Sequence, residues 1–327
     1  DTVPCLLISP TIQKYLEMSI LNRTLAFRTS EDSIISEVYL DLCLFSEIVN
    51  RDGALSRDTP KVLFPKILNL LEQLQKTHLT SFKRVAVQYY LSFLFRYLSW
   101  ILLNQNVEIL SNKNNIHIYK RSLTMMKLAV KIGCVSEMLH LSMFYYNTNQ
   151  YERSLSCLQK AQGKMSKPYV LYHRYVNEEF YRRAMAGVSL GDRMRKCLII
   201  DIILTFDIAY IDELILEQTT TTAEGSGNLV IPPFVMLHML FVLNHQRLGN
   251  TVRSQQSIQD LHTLLLFDDW TRVPADCRDI SWQILGICQQ ISGDYVEALN
   301  SFQCSLQQIP RHRIQEATMS RIRRMYE

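Results

Sequence analysis

The stretch RDISWQILGICQQISGDYVEALNSFQCSL, Arg278 to Leu306, decides the fold. Trp282, Leu285 and Gly286 stand at i, i+3 and i+4 on one helical face, and Ala298, Phe302 and Ser305 stand at i, i+4 and i+7 on another further on. Between them Gly293-Asp294-Tyr295 makes a turn, and Pro310 closes the unit. Gly286 is the small residue that lets a second helix approach the first. Counted from Asp279 to His312, the unit has the 34-residue period of a helical hairpin that stacks on copies of itself. Gln289 is the one clear departure, at a position where an aromatic residue is usual.

Working outward, two looser copies precede it. Met138, Leu141, Ser142 and Tyr145 are followed by the turn Asn149-Gln150-Tyr151 and then by Ser154, Leu158 and Ala161. Phe241, Val242 and His245 are followed by Gly249-Asn250 and then by Ser254, Ile258 and Leu261. The spacing between units is irregular, so the sequence predicts an all-α chain built as a degenerate solenoid of the tetratricopeptide class.

Composition agrees. Of 327 residues, 10 are Gly and 9 are Pro, against 45 Leu. Sandwiches, barrels and doubly wound sheets need turn residues at every corner, and this chain has too few to close them. An apolar content of 47% with 10% aromatic residues excludes a disordered chain. Helix signals run along the chain. Ser9 with Pro10, Ser30, and Thr59 with Pro60 are start signals, and Pro232-Pro233 opens a later block. Ile34, Val38, Leu42 and Phe45 share one face of a helix. Gly133 stops the helix of Met125, Met126, Leu128 and Val130, at the position where a helix end favours positive φ. The threonine-rich 217–229 segment reads as a flexible loop. Residues 1–50 read as the end of a preceding helical lobe and 51–327 as the repeat domain.

The run Val85 to Asn104 is apolar but carries Arg96 near its middle, which argues for a buried helix and against a membrane span. Phe234 to Leu243 is too short to cross a bilayer. The eight cysteines, Cys5, Cys43, Cys134, Cys157, Cys197, Cys277, Cys288 and Cys304, contain no C-x-x-C pair. They read as reduced thiols of a cytoplasmic protein. The start at Asp1 without a methionine reads as a fragment of a longer protein.

Chemical motifs are absent. There is no phosphate loop, dinucleotide fingerprint or nucleophile elbow. His238 and His245 lack the acidic residue of a zinc helix, and Asp268-Asp269 reads as a pair of solvated turn carboxylates. No catalytic residue, metal or cofactor is expected. Basic residues cluster between Lys160 and Lys196, with nine Lys and Arg against three Asp and Glu. Tyr169, Tyr172, Tyr175, Phe180 and Tyr181 interleave with them. The candidate basic binding face comprises Arg174, Arg182, Arg183, Arg193, Arg195 and Lys196, since cations among aromatics grip phosphates and stack bases. The plainer alternative packs the tyrosines inside and leaves the charges to water, and it is preferred. Arg311, Arg313, Arg321, Arg323 and Arg324 read as the polar face of a capping helix.

Several of these segments also carry a family likeness. Arg278 to Leu306, KLAVKIGCVSEMLHLSMFYY (Lys127 to Tyr146), IPPFVMLHML (Ile231 to Leu240), ILNRTLAF (Ile20 to Phe27) and ISEVYLDLCL (Ile35 to Leu44) resemble the C-terminal tails of male-abnormal-21-like proteins. Those proteins are relatives of cyclic GMP–AMP synthase. The resemblance implies a nucleotidyltransferase core upstream of Asp1 and a parent role in nucleic-acid sensing or innate immunity. It carries no catalytic residue to this chain, because Gly225-Ser226 sits in the threonine-rich segment and no D-x-D or D-x-E on a predicted strand follows it. The resulting expectation is a non-catalytic helical-repeat module whose partner is a protein segment in the solenoid groove, or the upstream core itself. Nucleic acid is the less favoured partner and a membrane is not expected. The rival expectation is an active nucleotidyltransferase whose tail helps to hold a nucleic-acid activator. Trp282, Leu285, Gly286, Tyr295, Ala298, Phe302 and Pro310 are the structural signature of the helical repeat.

Overall fold

The computed structural model of the chain describes residues 37–49, 60–75, 79–104, 112–173, 176–223, 227–268 and 270–326. Fourteen α-helices dominate these residues: α1 (Glu37–Val49), α2 (Pro60–Gln75), α3 (Ser81–Asn104), α4 (Asn112–Ile132), α5 (Glu137–Asn147), α6 (Tyr151–Met165), α7 (Glu178–Met185), α8 (Leu190–Cys197), α9 (Ile215–Ala223), α10 (Pro233–Arg247), α11 (Thr251–Phe267), α12 (Arg278–Ile291), α13 (Tyr295–Leu306) and α14 (Gln315–Arg324). One small antiparallel ribbon joins β1 (Ile202–Leu204) to β2 (Leu229–Ile231), with Ile203 opposite Val230. The start signals at Ser9, Pro10, Ser30 and Thr59 lie outside the described residues.

Consecutive helices pack as antiparallel pairs: α3 with α4, α5 with α6, α10 with α11, and α12 with α13. Each second helix also packs on the first helix of the next pair, α4 on α5, α6 on α10 and α11 on α12, and α14 closes the series against α13. Three turns share one backbone geometry. Asn149, Gly249 and Gly293 take φ of 59°, 70° and 83°. The residues after them, Gln150, Asn250 and Asp294, donate their N–H to the carbonyls of Tyr145, His245 and Gln289 at 2.8, 2.8 and 3.0 Å. The left-handed residue reverses the chain within three positions, and glycine fills it twice because it has no Cβ to clash there.

Pairing is set by what stands at the helix crossing. In α12–α13 a Cβ on Gly286 would lie 2.5 Å from the Phe302 ring, so only glycine admits that ring. In α5–α6 the same contact is polar: the Ser142 and Ser154 hydroxyls meet at 2.7 Å, and Ser154 also donates to the Ser142 carbonyl at 2.9 Å. Gln289, the irregular position, is buried and accepts a hydrogen bond from Ser301 at 2.6 Å.

Three expectations need correction. Gly133 ends α4 without a positive φ. Its Cβ would meet the Ser92 Cβ at 2.8 Å and the Glu137 Cγ at 2.7 Å, so glycine serves close packing there. The 217–229 segment is not a loop throughout: α9 continues to Ala223, Glu217 is fully buried, and Leu229 begins β2. Arg321 does not belong to a solvated face, because it pairs with that buried Glu217. The helix read as ending a preceding lobe, α1, shares a hydrophobic cluster with the start of α3, α7 and α8 through Val38, Phe45, Val85 and Tyr181.

Candidate functional site

The first helices of the pairs are covered on both sides. Every residue of α5 from Glu137 to Tyr146 is buried, as is every residue of α12 from Asp279 to Gln289. One side faces the partner helix. The other side is covered by the segment between α8 and α10, which crosses all the pairs in turn. Tyr210 packs its ring 4.9 Å from Trp100 of α3. Asp207 accepts from the Tyr97 hydroxyl of α3 at 2.6 Å, and Glu213 accepts from the Tyr146 hydroxyl of α5 at 2.6 Å. Arg247 of α10 reaches Glu213 at 3.3 Å. Glu217 accepts from Gln283 of α12 at 2.7 Å and takes Arg321 of α14 in a two-bonded fork at 2.6 and 2.9 Å. The side of the first helices away from their partner helices is thus occupied by residues 200–221 of the chain itself.

A second buried ion pair ties α3 to α5. Arg96, the residue that interrupts the apolar run, donates to Glu137 at 2.6 Å and lies 5.0 Å over the Phe93 ring. Two charges taken out of water require each other, so this pair fixes the crossing of the two helices. Beside it, burial and then the Arg96 charge hold His140 well below the usual histidine range.

Burial also pushes up the thiols that a nucleophile or metal would use, Cys157 to about 11 and Cys134 and Cys197 to about 12. Thiols held protonated are poor nucleophiles. Among the described residues no group of three or more His, Cys, Asp and Glu could hold a metal ion, and no helix is long and apolar enough to cross a membrane. Asp268 caps its own turn, accepting from the Val273 N–H at 2.9 Å; Asp269 and Gly225-Ser226 lie outside the described residues.

No family model, curated protein or solved structure matches the chain.

The basic segment 160–196 is divided by the fold. Arg193 turns inward to pair with buried Asp41 at 2.9 Å, and Tyr181 donates to the same carboxylate at 2.6 Å. Tyr172 is buried and donates to Asp201 at 2.7 Å. Arg183 and Arg195 pair with Glu179 and Asp192 on their own helices. Arg182 and Lys196 are exposed, whereas Arg174 and Tyr175 lie outside the described residues. The interleaved cations and aromatics therefore do not form one face.

The outer surface of the second helices carries the remaining chemistry, and it changes along the series. On α11 and α13 the outward residues include Val252, Tyr295 and Val296, exposed at 78%, 57% and 73%. Val252 and Val296 occupy the same position after equivalent turns. On α4 and α6 the exposed residues include Lys120, Arg121, Lys127, Lys131, Arg153, Lys160 and Lys164, together with apolar Ile116 and Leu128 of α4. Two signals for this arrangement were present in the sequence. Phe234 to Leu243 has no polar face, as expected for a helix covered all round. Lys120, Lys127 and Lys131 fall on one helical stripe with no acidic residue between them.

Proposed function

We propose that the chain is a non-catalytic tetratricopeptide-like solenoid module that works by presenting its outer surface, and that it serves a nucleotidyltransferase-like core of the kind carried by male-abnormal-21-like proteins. The observation that supports this reading most is the repeated turn: three helical pairs with one backbone geometry, stacked second helix on first, closed by α14. Residues 200–221 cover the first helices, which supports binding at the outer, second helices. Exposed Val252, Tyr295 and Val296 support a protein partner at the α11–α13 end, since apolar residues grouped at the surface mark contact sites. Protonated, buried thiols favour a structural chain, and a cytoplasmic setting accords with seven free cysteines among the described residues.

Two experiments test the proposal. Incubation of the chain with ATP, GTP, Mg²⁺ and Mn²⁺ should yield no linked nucleotide, and such a product would overturn the non-catalytic reading. Hydrogen exchange of α11 and α13 should slow when the chain is part of its natural full-length protein. Equal exchange in both contexts would overturn service to a linked core.

A further inference from the structure

The last two helical pairs match each other on their outer surface as well as at their turns. α11 and α13 begin at neighbouring turns, where Gln246 donates to Ser292 at 2.8 Å. Both then run toward the start of α12. Arg278 donates to the Leu265 carbonyl near the end of α11, and Arg311, beyond the end of α13, pairs with Asp276. The two helices are therefore parallel neighbours. They are capped alike, Asn250 accepting from the Arg253 N–H and Asp294 from the Glu297 N–H.

With the caps in register, a stripe on α11 has its counterpart on α13, 44 positions further on. Val252 matches Val296, Gln256 matches Asn300, Gln259 matches Gln303 and Thr263 matches Gln307, all exposed. Intervals of four, three and four residues keep each set on one side of its helix. Beside the valines Arg253 matches Glu297, the one match of opposite sign. Among the described residues neither of these two side chains is held in an ion pair. Across the 17 residues of α11 and the 12 of α13, the only other Lys, Arg, Asp or Glu is Asp260. Solvated surfaces are rich in charge, whereas the centre of a protein contact is depleted of it. Exposed apolar groups stand at both ends of the rows, Leu248, Val252, Tyr295 and Val296 at the turns and Leu266 and Phe267 at the end of α11. The α5–α6 pair has the same turn but carries Glu152 in place of the valines, so the match is confined to the last two pairs.

This pattern selects the partner. A side-chain amide carries both donor and acceptor, so a row of Gln and Asn is its own complement, as a row of lysines is not. A two-fold axis parallel to the helices and midway between them exchanges the two rows. It brings Val252 of one copy to the height of Val296 of the other, and Arg253 to the height of Glu297. Opposite charges then meet twice. A membrane surface would call for a basic rim, and a nucleic acid for more than one arginine. The rows are about 20 Å long. That footprint lies at the small end of specific interfaces, so the expected pairing is weak.

We infer that the outer face of α11 and α13 pairs with the same face of a second copy of this chain, α11 against α13 about a two-fold axis. The inference rests on the reading of these helices as a protein-contact surface, and it names the partner. The test is sedimentation equilibrium of the full chain from about 1 to 500 µM, over which a dimer with a micromolar dissociation constant should form. Arg253→Glu and Glu297→Arg should each weaken the dimer more than about tenfold, because each sets like charges against one another twice. Mixing these two variants should restore pairing to within about threefold of the wild type, since both crossed contacts are then opposite in sign. The double variant Arg253→Glu/Glu297→Arg should regain pairing by itself. Val252→Ser/Val296→Ser should weaken the dimer at least about tenfold with the melting temperature unchanged. A chain that stays monomeric at about 500 µM overturns the inference. So does a dimer indifferent to the charge and valine variants, or a mixture that pairs no better than its components. Hydrogen exchange separates this inference from the reading beneath it: a monomeric chain whose α11 and α13 are still protected within the full-length protein would sink the self-pairing and keep the contact surface.

Discussion

The pairs α5–α6 and α12–α13 are the same object by backbone and different objects by chemistry. Both turn through a left-handed residue, Asn149 or Gly293, followed by a residue that closes a hydrogen bond to the preceding helix. At the crossing, one is held by two serine hydroxyls and the other by a phenylalanine ring resting on a glycine. Outward, one presents Arg153, Lys160 and Lys164, the other Tyr295 and Val296. The turn and the helix spacing fix the pair, so the crossing tolerates any two complementary groups and the outer face is free to vary.

The comparison can be broken most severely at the glycine crossing. Gly286→Leu places a side chain where the Phe302 ring stands, and overpacking of a closed core costs roughly 3 kcal/mol or more. The last pair should lose its cooperative unfolding, seen as missing helical circular dichroism. A variant with full helix content and unchanged melting would show that the ring can move aside.

Glu217→Gln comes next. Gln283 could still be satisfied, but Arg321 would be left 14% exposed without its carboxylate, a loss of about 3 kcal/mol. Chemical denaturation should show it. A loss below about 1 kcal/mol would mean that the segment across the inner face is held by its apolar residues alone.

Acid should weaken the α5 end more than the α12 end. His140 is buried, and its folded pKa is depressed, so the unfolded chain binds the proton first. Its contribution is complete above the unfolded value near 6.5 and falls as pH drops below it, by up to about 1.4 kcal/mol per unit. His245 and His238 are depressed by burial as well, whereas hydrogen bonding to Asp201 raises His173. Stability measured from pH 7.5 to 5 should therefore decline, and His140→Gln should flatten the decline. An unaltered pH profile in that variant would assign the decline to other groups.

Smaller still is Ser142→Ala, which removes one hydroxyl and leaves Ser154 its bond to the Ser142 carbonyl, for a loss of about 1 kcal/mol. The double variant Ser142→Ala/Ser154→Ala should lose less than the two single variants summed, as a double-mutant cycle would report. Additive losses would show that the hydroxyls do not act as a pair. Gly163→Ala should do the reverse and stabilise α6 by about 0.5–1 kcal/mol, because the position is open and helical. A loss there would reveal a packing demand on that glycine.

Much of the fold was legible because its signals are local. The turns at Asn149, Gly249 and Gly293 need a left-handed residue within a few positions, and the spacing of Trp282, Leu285 and Gly286 needs only the helical period. Residues 217–223 misled because four consecutive threonines disfavour a helix by propensity. In α9 their hydroxyls bond backward instead, Thr219 to Ile215, Thr220 to Leu216 and Thr222 to Gln218, while Thr221 reaches His312 across the fold. Glu217 anchors that helix to α14, a contact more than 100 positions away in sequence.

The sequence by itself determined the helical class, the positions of the turns and the close approach of a second helix at Gly286, since each depends on residues at most a few turns apart. It also held the basic excess between Lys160 and Lys196. Only the tertiary structure decided that residues 200–221 cover the first helices of the pairs, and that Arg193 and Arg321 are drawn inward to Asp41 and Glu217. A buried charge is settled by whichever partner the fold brings within reach, and helical periodicity places a residue on a face without saying what will cover it.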